Sequence, residues 1–133
     1  MISDKSYFKI IDGLEIMSTG ALWHKTSDSE LFLFPKYYAE THEGRIELFF
    51  IIIRRLIEES KLLLAKNGEF LKGTIDEQLE LFKNAFPDGE RMKEVYAYWW
   101  YLDDCPAEVV WILDEEIKGF TTPAENGKFY FWT

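Results

Sequence analysis

Six consecutive apolar residues, Leu48 to Ile53, constrain the fold of this chain more than any other feature. On a helix such a run is apolar on every side, which is typical of a helix that is buried in a protein core. Its β-branched isoleucines would also suit a buried strand, but the mixed charged and apolar pattern that follows favours a helix over about residues 43–60. The sequence therefore predicts a central helix against which the other elements pack.

Two further helices are indicated by apolar residues that recur at helical spacing. The first covers about residues 4–18 and ends before Gly20, a residue suited to a helix C-terminus. The second covers about residues 91–101 and carries two adjacent tryptophans. Residues 21–38, between the first helix and the central one, are predicted to be a loop with at most a short extended piece, because Pro35 argues against a central strand.

A capping box marks the start of one more helix. Thr74 and Glu77 have the spacing at which the threonine side chain accepts a hydrogen bond from the Glu77 amide while the glutamate reaches back to the threonine amide. This helix is predicted to begin near residue 75 and to end before Pro87. Upstream, a short apolar continuation of the central helix is predicted to end at the turn-forming Asn-Gly pair at residues 67–68.

The C-terminal part of the chain changes to β-branched and aromatic residues. Residues 109–113 and 128–132 have the composition of strands, and residues 117–121 are a candidate middle strand. We therefore predict an α+β fold in which three to four helices are followed by a small C-terminal antiparallel β-sheet. At 133 residues the chain has the usual length of a single domain.

Acidic residues dominate the second half of the chain. The formal charge is -9, of which residues 1–66 carry -1 and residues 67–133 carry -8. Because a negative surface is repelled by phosphate, binding to DNA, RNA or an anionic membrane is not expected. No apolar run reaches the ~18 residues of a membrane span, and no signal-peptide pattern follows Met1. A single cysteine excludes an internal disulfide, so the sequence predicts a cytoplasmic protein.

The densest acidic segment, residues 103–116, holds six carboxylates and no Lys or Arg. Clustered like charge costs stability through self-repulsion, so a partner of opposite charge is one explanation for it. Two adjacent helical tryptophans cannot both face one core, so one of the pair before this segment is expected to be partly exposed, as interface anchors often are. The candidate partner-binding residues are Trp99, Trp100, Asp103, Asp104, Glu108, Trp111, Asp114, Glu115 and Glu116.

No catalytic or metal-binding constellation is evident in the sequence. Residues 68–74 have the glycine spacing of a phosphate-binding loop, but Thr74 occupies the position where such a loop needs lysine. His24 and His42 lack the spacing of a metal motif. Cys105 follows two aspartates, which disfavour the thiolate that a cysteine nucleophile needs. Neighbouring carboxylates on a strand point to opposite faces, so we expect neither a metal nor a cofactor.

Five short motifs are spread over nearly the whole chain. They are Gly20-Ala21-x-Trp23, Gly68-x-Phe70-Leu71-x-Gly73-Thr74-x-x-Glu77-Gln78, Phe86-Pro87, Asp104-Cys105-Pro106-Ala107-x-x-Val110-Trp111 and the terminal Trp132-Thr133. In these motifs the chain resembles the bacterial family catalogued as domain of unknown function 596. The resemblance implies a compact intracellular fold, and no established activity comes with it.

Two functions follow as hypotheses. The first is non-enzymatic binding of a basic protein, most specifically by an immunity protein that neutralises a basic bacterial toxin domain. Small acidic bacterial proteins often serve in this way, which is an analogy. The alternative is a small enzyme, or a ligand-binding or metal-binding domain, that uses Cys105 or the carboxylate cluster. A third interpretation is a subunit of a larger assembly, in which acidity keeps the free protein soluble.

Overall fold

The computed structural model describes residues 4–11, 16–25, 41–95, 99–101 and 105–133. In these ranges it contains five α-helices, five strands and two short 3-10 turns. The helices are α1 (Asp4–Ile11), α2 (Thr19–Lys25), α3 (His42–Glu58), α4 (Ile75–Ala85) and α5 (Gly89–Val95). The strands are β1 (Leu62–Lys66), β2 (Glu69–Phe70), β3 (Glu108–Leu113), β4 (Thr121–Pro123) and β5 (Phe129–Trp132), and the 3-10 turns are Trp99–Tyr101 and Glu125–Gly127. The α+β fold predicted from the sequence is confirmed.

The central helix predicted from the apolar run is α3, which has 17 residues. Thr41 caps its first turn, because the threonine side-chain oxygen accepts a hydrogen bond of 2.9 Å from the Gly44 amide. The apolar run is buried except at Ile51, which is half-buried. Neither α3 nor any other helix in the described ranges is long and apolar enough to cross a membrane.

Aromatic rings fill the space between α3 and the other helices. Phe49 lies at the centre of this cluster, with five other ring centroids 5.2–5.8 Å from its own. These rings belong to Trp23, Phe50, Phe82, Phe86 and Trp100. Gly20 of α2 lies against the same cluster, since an added Cβ atom would stand 3.0 Å from the Trp100 ring. The close approach of α2 therefore depends on a residue without a side chain.

The five strands form one antiparallel sheet in the order β2-β1-β3-β5-β4. One face packs against the helices. On it, Leu62 lies opposite Trp111 and Leu64 lies opposite Val109, and all four side chains belong to the buried cluster that includes α3. The helix-facing side of the sheet thus completes the hydrophobic core.

The opposite face of the sheet has an aromatic cluster of its own. The ring centroids of Phe70, Tyr130 and Trp132 lie 4.9–6.2 Å from one another. Ala65 on β1 and Val110 on β3, which share this face, are only 2% and 1% exposed. Because these middle-strand side chains are small, rings from β2 and β5 can meet above them. The sheet shields much of its second face with its own side chains.

The first predicted loop is wrong in part. Residues 19–25 form α2, and Trp23 is 1% exposed inside the core, whereas residues 26–38 lie outside the described ranges. The helix predicted over residues 4–18 is α1, which is described as far as Ile11, and residues 16–18 are not helical. The physical reason is a second helix start: the Ser18 side-chain oxygen accepts a hydrogen bond of 3.3 Å from the Ala21 amide.

The residues after α3 form a hairpin rather than the predicted continuation of that helix. β1 and β2 pair across Asn67 and Gly68, whose φ angles are +52° and +80°. Two successive positive φ angles are typical of the tight turn that joins antiparallel strands, and an Asn-Gly pair favours that turn. The hairpin adds two strands to the sheet that the sequence did not predict.

Three other predictions concern element boundaries. The capping box at Thr74 is confirmed, with both of its reciprocal hydrogen bonds present at the start of α4. The helix predicted over residues 91–101 is divided: α5 covers Gly89–Val95, a 3-10 turn covers Trp99–Tyr101, and residues 96–98 lie outside the described ranges. The candidate middle strand begins only at Thr121 and lies at the edge of the sheet, where Pro123 needs no partner for its nitrogen.

A charged cluster fastens α1 to the end of α3. The Tyr7 hydroxyl donates a hydrogen bond of 3.1 Å to Glu59, and the Arg55 guanidinium lies 3.7 Å from the centre of the Tyr7 ring. Arg55 also pairs with Glu59 at 2.8 Å and with Asp4 at 2.9 Å. The pKa of Glu59 is lowered from 4.5 to about 2, mainly by the hydrogen bond from Arg55. Desolvation of the Glu59 carboxylate acts in the opposite direction, whereas hydrogen bonds from Lys61 and Tyr7 lower the pKa further.

This lowered pKa predicts a loss of stability in acid. A carboxylate whose pKa is lower in the folded state stabilises the fold above pH 4.5 and loses this contribution as the pH falls towards 2. Because the Glu59 side chain is 33% exposed and screened by water, we expect a contribution of at most about 1 kcal/mol. Urea unfolding of the wild type and of Glu59→Gln, at about pH 6 and about pH 3, measures it. An equal loss in both proteins would show that Glu59 has no such role.

Candidate protein-binding site

The three tryptophans predicted to contact a partner are all buried. Trp99, Trp100 and Trp111 are 0%, 7% and 4% exposed. Trp111 lies on the helix side of β3, and its indole N–H donates a hydrogen bond of 2.7 Å to the Met17 carbonyl oxygen. The structure therefore places these three indoles in the core and not on an exposed surface.

Trp99 and Trp100 are both buried because the core surrounds their 3-10 turn on more than one side. Trp100 packs against Trp23 and Phe49, with ring centroids 6.2 Å and 5.8 Å away. Apart from the adjacent Trp100, the ring nearest to Trp99 is that of Phe86, and their centroids are 5.0 Å apart. The two indoles occupy different parts of one aromatic core, so the expectation that one of them is exposed does not hold.

The predicted carboxylates do not form one continuous surface in the described part of the chain. Glu108 begins β3 and is half-buried, whereas residues 114–116 follow the other end of that strand and are exposed. The length of the strand, about 20 Å, separates them. Asp103 and Asp104 lie outside the described residues. The exposed acidic residues that remain together are Asp114, Glu115 and Glu116.

An ordered loop carries these three residues from β3 to β4. We call residues 114–120 the acidic loop. A turn closes its second half, where the Phe120 amide donates a hydrogen bond of 2.9 Å to the Ile117 carbonyl oxygen. The Thr121 hydroxyl accepts from the Ile117 amide and donates to the Ile117 carbonyl oxygen, both over 3.1 Å. These bonds restrain the backbone of residues 117–121, which lowers the entropy cost of binding a partner through this part of the loop.

Two large apolar side chains of the acidic loop are exposed. Phe120 is 67% exposed, the largest value for a large apolar side chain among the described residues, and Ile117 is 37% exposed. One face of the Phe120 ring stacks on Phe131 of β5, with centroids 6.5 Å apart and an angle of 18° between the planes. With Phe131 on one side and 67% of the side chain exposed, most of the remaining ring surface faces solvent. Neither residue was among the site residues predicted from the sequence, where the one available signal was an aromatic residue isolated in a polar, glycine-containing turn.

The acidic loop keeps negative charge available at its surface. Asp114 forms an ion pair with Lys128, the residue before β5. Within the described ranges, no ion pair joins Glu115 or Glu116 to another residue. The loop therefore combines a hydrogen-bonded turn, two exposed apolar side chains, the exposed Lys118 and two carboxylates that form no ion pair among the described residues.

A family comparison covers this region. The profile of a family described as "Protein of unknown function, DUF596" matches residues 57–133, which is more than half of the chain. The chain belongs to this family. The part that matches DUF596 runs from the last turn of α3 to the C-terminal residue, so it contains α4, α5, the sheet and the acidic loop.

A solved structure shares the fold of this DUF596 member. It is described as "Uncharacterized Protein Conserved in Bacteria, COG3792 from Neisseria meningitidis" and superposes with a TM-score of 0.65. The superposition covers 84% of this chain and 82% of that chain at 21% sequence identity. At this identity the likeness shows the fold alone. No curated protein matches the chain.

Cys105, the catalytic candidate of the alternative hypothesis, lies within the DUF596 match but is buried. Its side chain is 0% exposed, and its S–H group lies 3.3 Å from the Ala107 carbonyl oxygen, to which it donates. Burial raises the pKa of the Cys105 thiol. A thiol that is inaccessible and harder to ionise is a poor nucleophile, so the structure disfavours the alternative that depends on this residue.

The other candidates for chemistry do not form a metal-binding group in the described ranges, where no three His, Cys, Asp or Glu side chains converge to hold a metal ion. His42 Nε2 lies 3.0 Å from the Pro87 carbonyl oxygen, a distance at which it donates a hydrogen bond, and its ring packs against Trp23. His24 is exposed on α2. Residues 68–74 lead from the β1–β2 turn to the cap of α4.

A groove of about 770 Å³ lies over the outward side of α3, between the start of α1 and α4. Phe50, Ile51 and Leu79 supply its apolar lining. Its two arginines already pair with carboxylates, Arg54 with Glu58 and Asp76, and Arg55 with Asp4 and Glu59. The volume suits a small molecule. The groove lining mixes acidic and basic side chains, whereas the acidic loop has three carboxylates and one lysine.

Proposed function

We propose that this chain is a non-enzymatic protein-binding domain that takes a basic protein partner on the acidic loop. The observation that carries the proposal is the exposed ring of Phe120 on a hydrogen-bonded turn that directly follows three exposed carboxylates. Each component has a separate part in binding. The ring and Ile117 supply apolar area to bury, and the carboxylates supply attraction to a positive surface.

Charge complementarity selects a basic partner over an apolar one or a second copy of the chain. The formal charge of the chain is -9, and residues 67–133 carry -8 of it. A second copy would bring like charge against the acidic loop, and like charges facing each other across an interface cost several kcal/mol. A basic surface would instead be attracted over the ~8 Å range that physiological salt permits. Its association would be accelerated in consequence.

The specific form of the proposal is an immunity protein that neutralises a basic bacterial toxin domain. An acidic inhibitor of this kind would cover a positive active-site surface, such as that of a nuclease, and exclude the phosphate-bearing substrate. The negative half of the chain and the exposed aromatic beside it support this form. Its single cysteine suits a reducing compartment, so we place this function in the cytoplasm.

The test is a capture experiment with the tagged full chain. Cytosol of the source organism, with the products of neighbouring genes co-expressed, is applied at low salt and then washed at high salt. We expect the wild type to retain a basic protein that high salt releases. We expect the variant Asp114→Asn, Glu115→Gln, Glu116→Gln to retain little of it, because it removes the attraction that the loop provides.

A matched variant separates the acidic loop from total charge. Glu43, Glu47 and Glu80 are exposed carboxylates on α3 and α4, and their joint replacement by glutamine changes the net charge by the same amount. This control should capture the partner as the wild type does. If both triple variants lose the partner equally, or if neither does, the acidic loop is not the binding surface.

A further inference from the structure

Resting on the proposed function, we infer that the acidic loop recognises an arginine side chain of its partner. In this arrangement the guanidinium stacks on the open face of Phe120 and pairs with the carboxylates of Glu115 and Glu116. The inference goes beyond general attraction to a basic surface, because it names one side chain and the way in which it is held.

The acidic loop carries both kinds of group that such a site needs, an exposed ring and exposed carboxylates. Phe131 supports one face of the Phe120 ring at a centroid distance of 6.5 Å, and the ring remains 67% exposed. A supported ring with one open face offers its negative π surface to a cation. The turn bond from the Phe120 amide to the Ile117 carbonyl oxygen brings residue 120 back to within about 7 Å of residue 117, next to Glu116.

The same molecule shows how this combination holds an arginine. The Arg55 guanidinium lies 3.7 Å from the centre of the Tyr7 ring, while its nitrogens pair with Glu59 at 2.8 Å and with Asp4 at 2.9 Å. That internal site consists of one aromatic ring, two carboxylates and the guanidinium between them. The acidic loop carries the same kinds of group, an aromatic ring and two carboxylates that form no ion pair among the described residues, with Lys118 of the loop included.

Arginine fits this arrangement better than lysine. The guanidinium is planar, so it can lie parallel to the ring while its edge presents several N–H donors to carboxylates. The lysine ammonium is a strongly hydrated point charge that must lose more water to reach a ring. The preference expected from stacking at an exposed site corresponds to about two- to fivefold in affinity.

Two synthetic peptides test the inference, identical except that one carries arginine wherever the other carries lysine. Each is titrated into the 15N-labelled full chain at the same ionic strength, and the amide shifts of residues 114–121 give the affinity. We expect the arginine peptide to bind about two- to fivefold more tightly. The variant Phe120→Leu keeps an apolar side chain but loses the ring, so it should bind both peptides equally. Phe8→Leu, which changes another exposed phenylalanine at 53% exposure on α1, should keep the preference for arginine.

The outcomes separate this inference from the proposed function. Equal affinity of the wild type for both peptides, or an unchanged preference in Phe120→Leu, overturns arginine recognition, and so does the absence of shifts in the acidic loop with either peptide. If both peptides bind the loop equally and the triple carboxylate variant weakens both, attraction to a basic partner stands without arginine selectivity. Failure of the proposed function appears instead as partner capture that does not depend on the loop.

Discussion

Replacing Phe49 with alanine is expected to lower the free energy of unfolding by about 3–5 kcal/mol. Phe49 is fully buried, and five aromatic ring centroids lie 5.2–5.8 Å from its own. The surrounding bulky rings cannot readily fill the space that the substitution leaves. The lost contacts and the remaining cavity therefore both lower the free energy of unfolding. Because domains of this size are stable by only about 5–15 kcal/mol, urea unfolding should show a large shift of the midpoint.

Two further variants make this stability prediction specific. Phe49→Leu fills part of the space and should lose clearly less stability than the alanine variant, which gives a measurable value even if the alanine variant does not fold. Leu81→Ala changes a side chain on α4 that is 53% exposed, so it should alter the free energy of unfolding by about 0.5 kcal/mol or less. Equal losses in Phe49→Ala and Leu81→Ala would contradict the central place of Phe49 in the core.

Replacing Phe120 with alanine is expected to weaken binding of the captured partner by about 30-fold, which corresponds to about 2 kcal/mol. The ring is 67% exposed in the free chain and lies on a hydrogen-bonded turn, so it can bury much of its area on binding at a reduced entropy cost. Its removal should leave the free energy of unfolding nearly unchanged. Calorimetric titration of the purified partner measures the affinity.

Leu81→Ala is the matched control for this binding prediction. Its side chain is large, apolar and 53% exposed, but it lies on α4 rather than on the acidic loop. We expect its affinity for the partner to equal that of the wild type. A loss of affinity in Leu81→Ala with no loss in Phe120→Ala would move the binding surface from the acidic loop to the helical side of the molecule.

Elements that depend on local chemistry were predicted well from the sequence. The capping box at Thr74 placed the start of α4, because both of its hydrogen bonds lie within one turn of chain. The apolar run identified α3 as the central helix, and β-branched and aromatic composition identified β3 and β5. In each case the residues that determine the element lie within the element itself.

The secondary-structure predictions were wrong for elements that depend on distant contacts or that are too short to give a clear sequence signal. Residues 62–66 are apolar and follow a helix directly, so their pairing with β3 could not be inferred from periodicity, although the Asn-Gly turn after them is a hairpin signal. Helix α2 was assigned to a loop because it is only seven residues long, and its burial depends on contacts with α3 and Trp100. Short elements carry too few residues for a periodic pattern to identify them.

The sequence predicted the exposed carboxylates of the candidate site but not its exposed aromatic residue. Asp114, Glu115 and Glu116 are exposed together, as a solvated acidic segment should be. The tryptophans nearby are buried because the aromatic core surrounds their turn, which one-dimensional spacing does not reveal. Phe120 was missed for the converse reason, since nothing in sequence distinguishes an exposed phenylalanine from a buried one until its neighbours in space are known.

An amide map of the 15N-labelled chain with the captured basic partner shows directly which surface the partner contacts. The acidic loop is predicted to be the contact surface, so amide shifts should be concentrated at residues 114–121 and at Phe131, which supports the Phe120 ring. Shifts confined to the groove formed by Phe50, Ile51 and Leu79, with the acidic loop unchanged, would contradict the account.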